Sequence, residues 1–80
     1  MDFLFHSVYD DGHHSKYFNV YQLDGNRFLA ECHHFNRSRE CEGDFELVKE
    51  ADGWKVNNEK FEEEAHYIGE ELERAGKVPE

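Results

Sequence analysis

Two histidine pairs and two cysteines are the residues of this chain best suited to chemistry. His13-His14 and His33-His34 hold four of its six histidines, and Cys32 and Cys41 bracket the second pair within the segment ECHHFNRSREC. Imidazole nitrogen and thiolate sulfur are ligands that zinc and its first-row neighbours accept. The spacing Cys32-x8-Cys41 is wider than the close cysteine pairs of zinc ribbons and fingers. Adjacent strand residues point to opposite faces, so only one of His33 and His34 can join a given site. A metal site would therefore have to be spatial, drawing His13, His14, His33, His34 and Cys41 from separate segments, and zinc is the ion such a set would hold. The simpler expectation is a polar sheet end with two unpaired thiols, with a redox or structural disulfide between Cys32 and Cys41 as the other reading. Cys32 falls where a thiol serves as a small hydrophobe, and Glu40 and Glu42 beside Cys41 blunt its nucleophilicity.

Signatures of catalysis are missing. The sequence has no glycine-rich phosphate loop, no GxSxG and no HExxH, and Ser7, Ser15 and Ser38 have no triad context. A noncatalytic role is expected.

Charge narrows the partners. Nine Lys and Arg stand against 19 Asp and Glu in 80 residues, a net charge of −10. Such a surface repels phosphate backbones and anionic lipid headgroups. Direct nucleic-acid binding is disfavoured, and a protein partner is favoured. No stretch reaches the ~20 apolar residues of a membrane span. The opening MDFLFHSVYDD lacks the basic and long apolar regions of a signal peptide. The expected location is the cytoplasm, where cysteines stay reduced.

The elements that must position these residues read as follows. Phe3–Tyr9, Lys16–Leu23, Arg27–Phe35, Phe45–Lys49 and Trp54–Val56 have strand character, and turn formers such as Asp24-Gly25-Asn26 and Asp52-Gly53 separate them. The period then changes. Phe61, Ala65, Ile68, Leu72 and Ala75 recur at steps of 4, 3, 4 and 3, one stripe of a helix. Asn57 is the expected N-cap; Gly76 and Pro79 end the helix. Gly69 within it marks a possible close approach to the sheet. The predicted fold is α+β, an antiparallel meander of about five short strands with one C-terminal α-helix packed on one face. It forms a single domain over residues 1–80.

Eighty residues bury only ~60–65% of the unfolded surface, so large rings must supply the core. Seven Phe, four Tyr and one Trp do so. Phe28, Ala30 and Cys32 alternate with Leu29, Glu31 and His33, while the second strand is apolar on both faces. One helix cannot cover two such faces. The exposed one, with Tyr17, Tyr21 and Leu29, is expected to meet a second copy or another protein. Glu63 and Glu70 on the acidic helix are a further candidate contact. The function expected is that of a small cytoplasmic protein-binding domain. Two alternatives stand beside it: an acidic inhibitor whose helix carboxylates imitate a nucleic-acid backbone, and a metal-binding domain using the histidine-rich end.

Overall fold

Alternation of apolar and polar residues produces five strands that pair in sequence order. The computed structural model describes residues 1–10, 12–13, 15–33 and 43–77. Strands β1 (Asp2–Asp10), β2 (Ser15–Asp24), β3 (Arg27–Cys32), β4 (Phe45–Glu50) and β5 (Gly53–Val56) precede a 3₁₀ turn (Glu59–Phe61) and helix α1 (Glu62–Arg74). The sheet order is β1-β2-β3-β4-β5, antiparallel throughout. This is the expected α+β meander. Hairpins of two residues suffice for the β2–β3 and β4–β5 connections. Gly53 takes φ +134°, a conformation that side-chain-bearing residues avoid. Gly25 stays out of that region, so the β2–β3 turn does not draw on glycine's freedom at that position.

The helix lies across one face. Phe18, Val20, Phe28, Ala30, Phe45 and Leu47 from the sheet meet Phe61, Ala65, Ile68 and Leu72 from the helix side, all buried. Phe45 stacks on Phe61 at 4.8 Å between centroids and meets Phe18 edge-on at 5.3 Å. Offset and edge contacts of this kind add to the area that the rings bury. Ala75, the last member of the predicted stripe, is exposed at the C-cap.

The helix ends differ in how well the sequence describes them. Asn58, not Asn57, caps the 3₁₀ turn, accepting from the Lys60 backbone N–H. Asn57 instead continues the sheet, its Oδ1 accepting from the Glu46 N–H at 3.0 Å. The end at Gly76 is as expected. Gly76 sits at φ +69°, with Gly76 N–H bonding to Glu73 and Lys77 N–H to Leu72, the paired bonds of a Schellman motif.

Gly69 is where helix and sheet touch most closely. A Cβ built there would lie 2.7 Å from three atoms of the Trp54 indole. The indole lies over the helix backbone and meets Phe28 edge-on at 5.7 Å. The absent side chain is thus what lets β5 close against α1.

Polar contacts fasten the rest of the helix. Ser7 donates to Glu71, Tyr9 to Glu63 at 3.3 Å, Lys16 pairs with the buried Glu64 at 3.6 Å, and Lys49 bonds to Glu73 at 2.8 Å. Trp54 Nε1 finds no acceptor at hydrogen-bonding geometry, though the Glu73 carboxylate lies close enough to feel it.

Candidate functional site

Register alone lays out the helix-free face of the sheet. Three rows cross it: Phe3–Tyr21–Leu29, His6–Asn19–Glu31, and Val8–Tyr17 continued by His33, whose N–H bonds to the Tyr17 carbonyl at 2.8 Å. A β-bulge between Phe3 and Phe5 makes the first row possible. Two residues there oppose one on β2, so Phe3 and Phe5 fall on opposite faces. Phe5 packs against the core, and Phe3 turns outward.

The result is an aromatic surface with polar groups threaded through it. Phe3 is 50% exposed, Val8 44% and Tyr17 36%. Tyr21 and Leu29 beside them are half-buried by their neighbours. Phe3 contacts Tyr21 edge-on at 5.5 Å and tilts over His6 at 5.1 Å. Through the middle row runs a chain of hydrogen bonds. Asn19 Nδ2 donates to Glu31 Oε1 at 3.2 Å, Tyr21 Oη donates to the same oxygen at 3.3 Å, and His6 Nδ1 lies 2.6 Å from Asn19 Oδ1. The Tyr21 hydroxyl is held above its ordinary value, first by reduced solvation and then by the Glu31 charge. At the hairpin end, Arg27 bridges Asp24 and Glu46, and hydrogen bonds, first to Glu46 and then to Asp24, raise its already high pKa. Glu31 on β3 and Glu46 on β4, the latter in register with Leu29 and paired with Arg27, are the carboxylates among these rows.

The expected partner residues therefore divide. Tyr17, Tyr21 and Leu29 share the helix-free face, with Tyr21 and Leu29 directly paired. Glu63 and Glu70 lie on the helix, across the sheet from them. Glu63 holds Tyr9, and the exposed Glu70 pairs with His66 at 3.3 Å. Phe3 and Val8 belong to the surface but were not anticipated.

Comparison with family models, curated proteins and solved structures returns no match.

Of the expected metal set, His13 and His33 are within the described residues, while His14, His34 and Cys41 lie outside them. His13 sits in the β1–β2 turn and His33 just past β3, at the same end of the sheet, and both are exposed. Among the described residues, no three His, Cys, Asp or Glu side chains converge to hold an ion. Cys32 is disulfide-bonded, not the unpaired thiol that its position suggested; Cys41 is the chain's other cysteine. The physical setting favours a return of the chain toward Cys32. Its backbone N–H donates to Asp44 Oδ1 at 2.7 Å, which draws the entry to β4 beside the end of β3.

Sequence reasoning missed His6. Its ring lies 6.3 Å from that of His33, and both border a hollow of about 320 Å³ with Tyr17. The missing signal was the bulge. With plain alternation Phe3, Phe5 and Ser7 share one face, and nothing in the sequence of β1 says which pairings put His6 beside the aromatic surface. On the helix side, a larger cleft of about 480 Å³ opens between Trp54, Val56, Glu62, Glu63, Ala65 and His66. Its polar groups do not converge on a common point in any bond that the structure shows.

Proposed function

We propose that this protein is a noncatalytic protein-binding domain of the cytoplasm whose docking surface is the helix-free face, and that its first partner is a second copy of itself. The observation that carries the reading is the surface formed by exposed Phe3, Val8 and Tyr17 with half-buried Tyr21 and Leu29, on a sheet that has one helix for two faces among the described residues. Contiguous exposed apolar surface of this kind is characteristic of interaction sites.

Charge supports the second copy as occupant. A protein of −10 repels itself most where its carboxylates are dense. Those of the helix lie on the far layer. Joining two sheets through this face, where Glu46 is paired with Arg27, keeps the two acidic helices at maximum separation. Size supports it too. The molecule's two longest dimensions, 37 and 23 Å, leave room for the ~800 Å² per partner of a standard interface. The acidic-mimic alternative is weaker, because Glu63, Glu64, Glu71 and Glu73 hold the helix to the sheet. The disulfide at Cys32 is unusual for a reducing compartment, so thiol titration of protein prepared without oxidation checks the location.

Sedimentation equilibrium tests the docking. The natural protein should be a dimer at about 100 μM, an ordinary affinity for an interface of this size, and Leu29→Lys and Tyr17→Asp should be folded monomers. A natural protein that stays monomeric at millimolar concentration would remove the second copy as occupant.

A further inference from the structure

The middle row of the helix-free face fixes more than packing. Glu31 is a carboxylate and accepts, so the Asn19 atom bonded to it at 3.2 Å is the donating Nδ2. That sets the amide orientation and leaves Asn19 Oδ1 facing His6 Nδ1 at 2.6 Å. An amide oxygen cannot donate, so His6 carries its proton on Nδ1, and the Nε2 lone pair is the one available. A histidine whose second nitrogen donates to an oxygen backed by a carboxylate is the arrangement that orients metal ligands.

The position of His33 completes the geometry. A metal bound at ~2.1 Å to an imidazole nitrogen stands about 3.2 Å from that ring's centroid, so two ligating rings lie roughly 5.2 Å apart at a tetrahedral angle and 6.4 Å when opposed. The His6 and His33 ring centroids stand 6.3 Å apart, within this span. Both side chains are exposed and border the same hollow. The hollow between them, about 320 Å³, accommodates an ion and several waters at about 30 Å³ each.

We propose that His6 and His33 form a two-imidazole site for a borderline divalent cation of the zinc, nickel or copper class, with Asn19 and Glu31 as positioning residues and water filling the remaining coordination. The ion differs from the one expected of the histidine pairs in where it sits: on the open face, held by β1 and the end of β3. Two protein ligands make it an exchangeable site, which agrees with the absence of any three-residue cluster among the described residues. The net charge of −10 raises the local concentration of cations.

Calorimetric titration of zinc chloride into untagged protein tests this, made on the monomeric Leu29→Lys variant because docking through this face would cover His6 and His33 in the natural dimer. One ion per chain is expected. His6→Ala and His33→Ala should each weaken binding by tenfold or more, and Asn19→Ala by about tenfold, the usual effect of losing an orienting partner. His13→Ala and His66→Ala should bind as their Leu29→Lys parent does. Nitrogen-15 spectra should show the zinc-induced shift at Nε2 of His6, with Nδ1 still protonated. Circular dichroism verifies that each variant is folded. No binding at millimolar zinc, binding that survives His6→Ala, or dependence on His13 each overturns the proposal. Because the monomeric Leu29→Lys variant retains both histidines, its zinc affinity separates failure of the metal site from failure of the docking reading.

Discussion

Substituting Gly69 by Ala should destabilise the protein, although an alanine in a helix interior ordinarily does the reverse. Alanine gains ~1 kcal/mol over glycine in an exposed helix. Here the new methyl would stand 2.7 Å from Cδ1, Cε2 and Nε1 of Trp54, where ordinary contact starts at 3.4 Å. The indole must retreat by about 0.7 Å or more to restore normal van der Waals separation. It cannot do so freely, because its edge rests on the buried Phe28 and the Lys49 ammonium lies 5.5 Å from its ring. Overpacking of this kind costs ~1–3 kcal/mol. After the propensity gain, the expected net loss is ~1 kcal/mol. A double-mutant cycle isolates the cause. On a Trp54→Ala background the obstruction is gone, and Gly69→Ala should then stabilise by ~1 kcal/mol, giving a coupling of ~2 kcal/mol. Urea denaturation followed by circular dichroism serves all four proteins, since the chain's single tryptophan is removed in two of them. If Gly69→Ala raises stability by ~1 kcal/mol in the natural background, the indole does not lie against the helix and the account of how β5 closes is wrong.

Other perturbations test the remaining contacts. Ile68 and Leu72 are fully buried, so replacing either with alanine should cost ~2–5 kcal/mol in a denaturant titration; a loss under half a kcal/mol would mean that the helix is not docked. Lys16→Met leaves the buried Glu64 without its ion pair and should cost ~1–3 kcal/mol at neutral pH, whereas Lys16→Met combined with Glu64→Gln should recover part of it. The hydrogen bond from Lys49 holds the Glu73 carboxyl below its ordinary 4.5. A depressed carboxylate stabilises the fold above its unfolded pKa and loses that contribution as pH falls through the folded value. Lys49→Met should therefore be less stable than the natural protein at neutral pH, with the gap closing below about pH 4.5; a gap that widens on acidification would reverse the sign of the argument.

Most of the scaffold could be read from local patterning. The change from a two-residue to a 3.6-residue period at Phe61 marked the helix. Gly76 stopped it for a stereochemical reason, and the short turns forced a meander. Alternation in β3 separated Phe28 and Ala30 from Leu29 and Glu31 correctly because that strand runs without irregularity. The candidate surface was half legible for the same reason in reverse. Tyr17, Tyr21 and Leu29 follow from regular strands, but the bulge after Phe3 resets the parity of β1 and hides Phe3, His6 and Val8 from pattern reading. The helix carboxylates could not be sorted from the sequence, because a Glu reads alike whether solvated or bonded to a strand. Only the tertiary fold distinguishes Glu63, which holds Tyr9, from Glu70, which does not touch the sheet.

The meander also has a kinetic side. Every strand pairs with its neighbour in sequence, so the sheet can grow by successive hairpins, each closing a short loop at small entropic cost. The helix must dock from further away, and its bonds to β1 span the most chain. Ser7 and Glu71 are separated by 64 positions and Tyr9 and Glu63 by 54. These contacts close nearly the whole chain into a ring and are available only after both ends have formed. The first strand and the last helix are then expected to join late, as a latch rather than a nucleus. Weakening that latch should speed unfolding while leaving the refolding rate almost unchanged. Stopped-flow measurements on Ser7→Ala would show the asymmetry as a shift confined to the unfolding arm of the chevron.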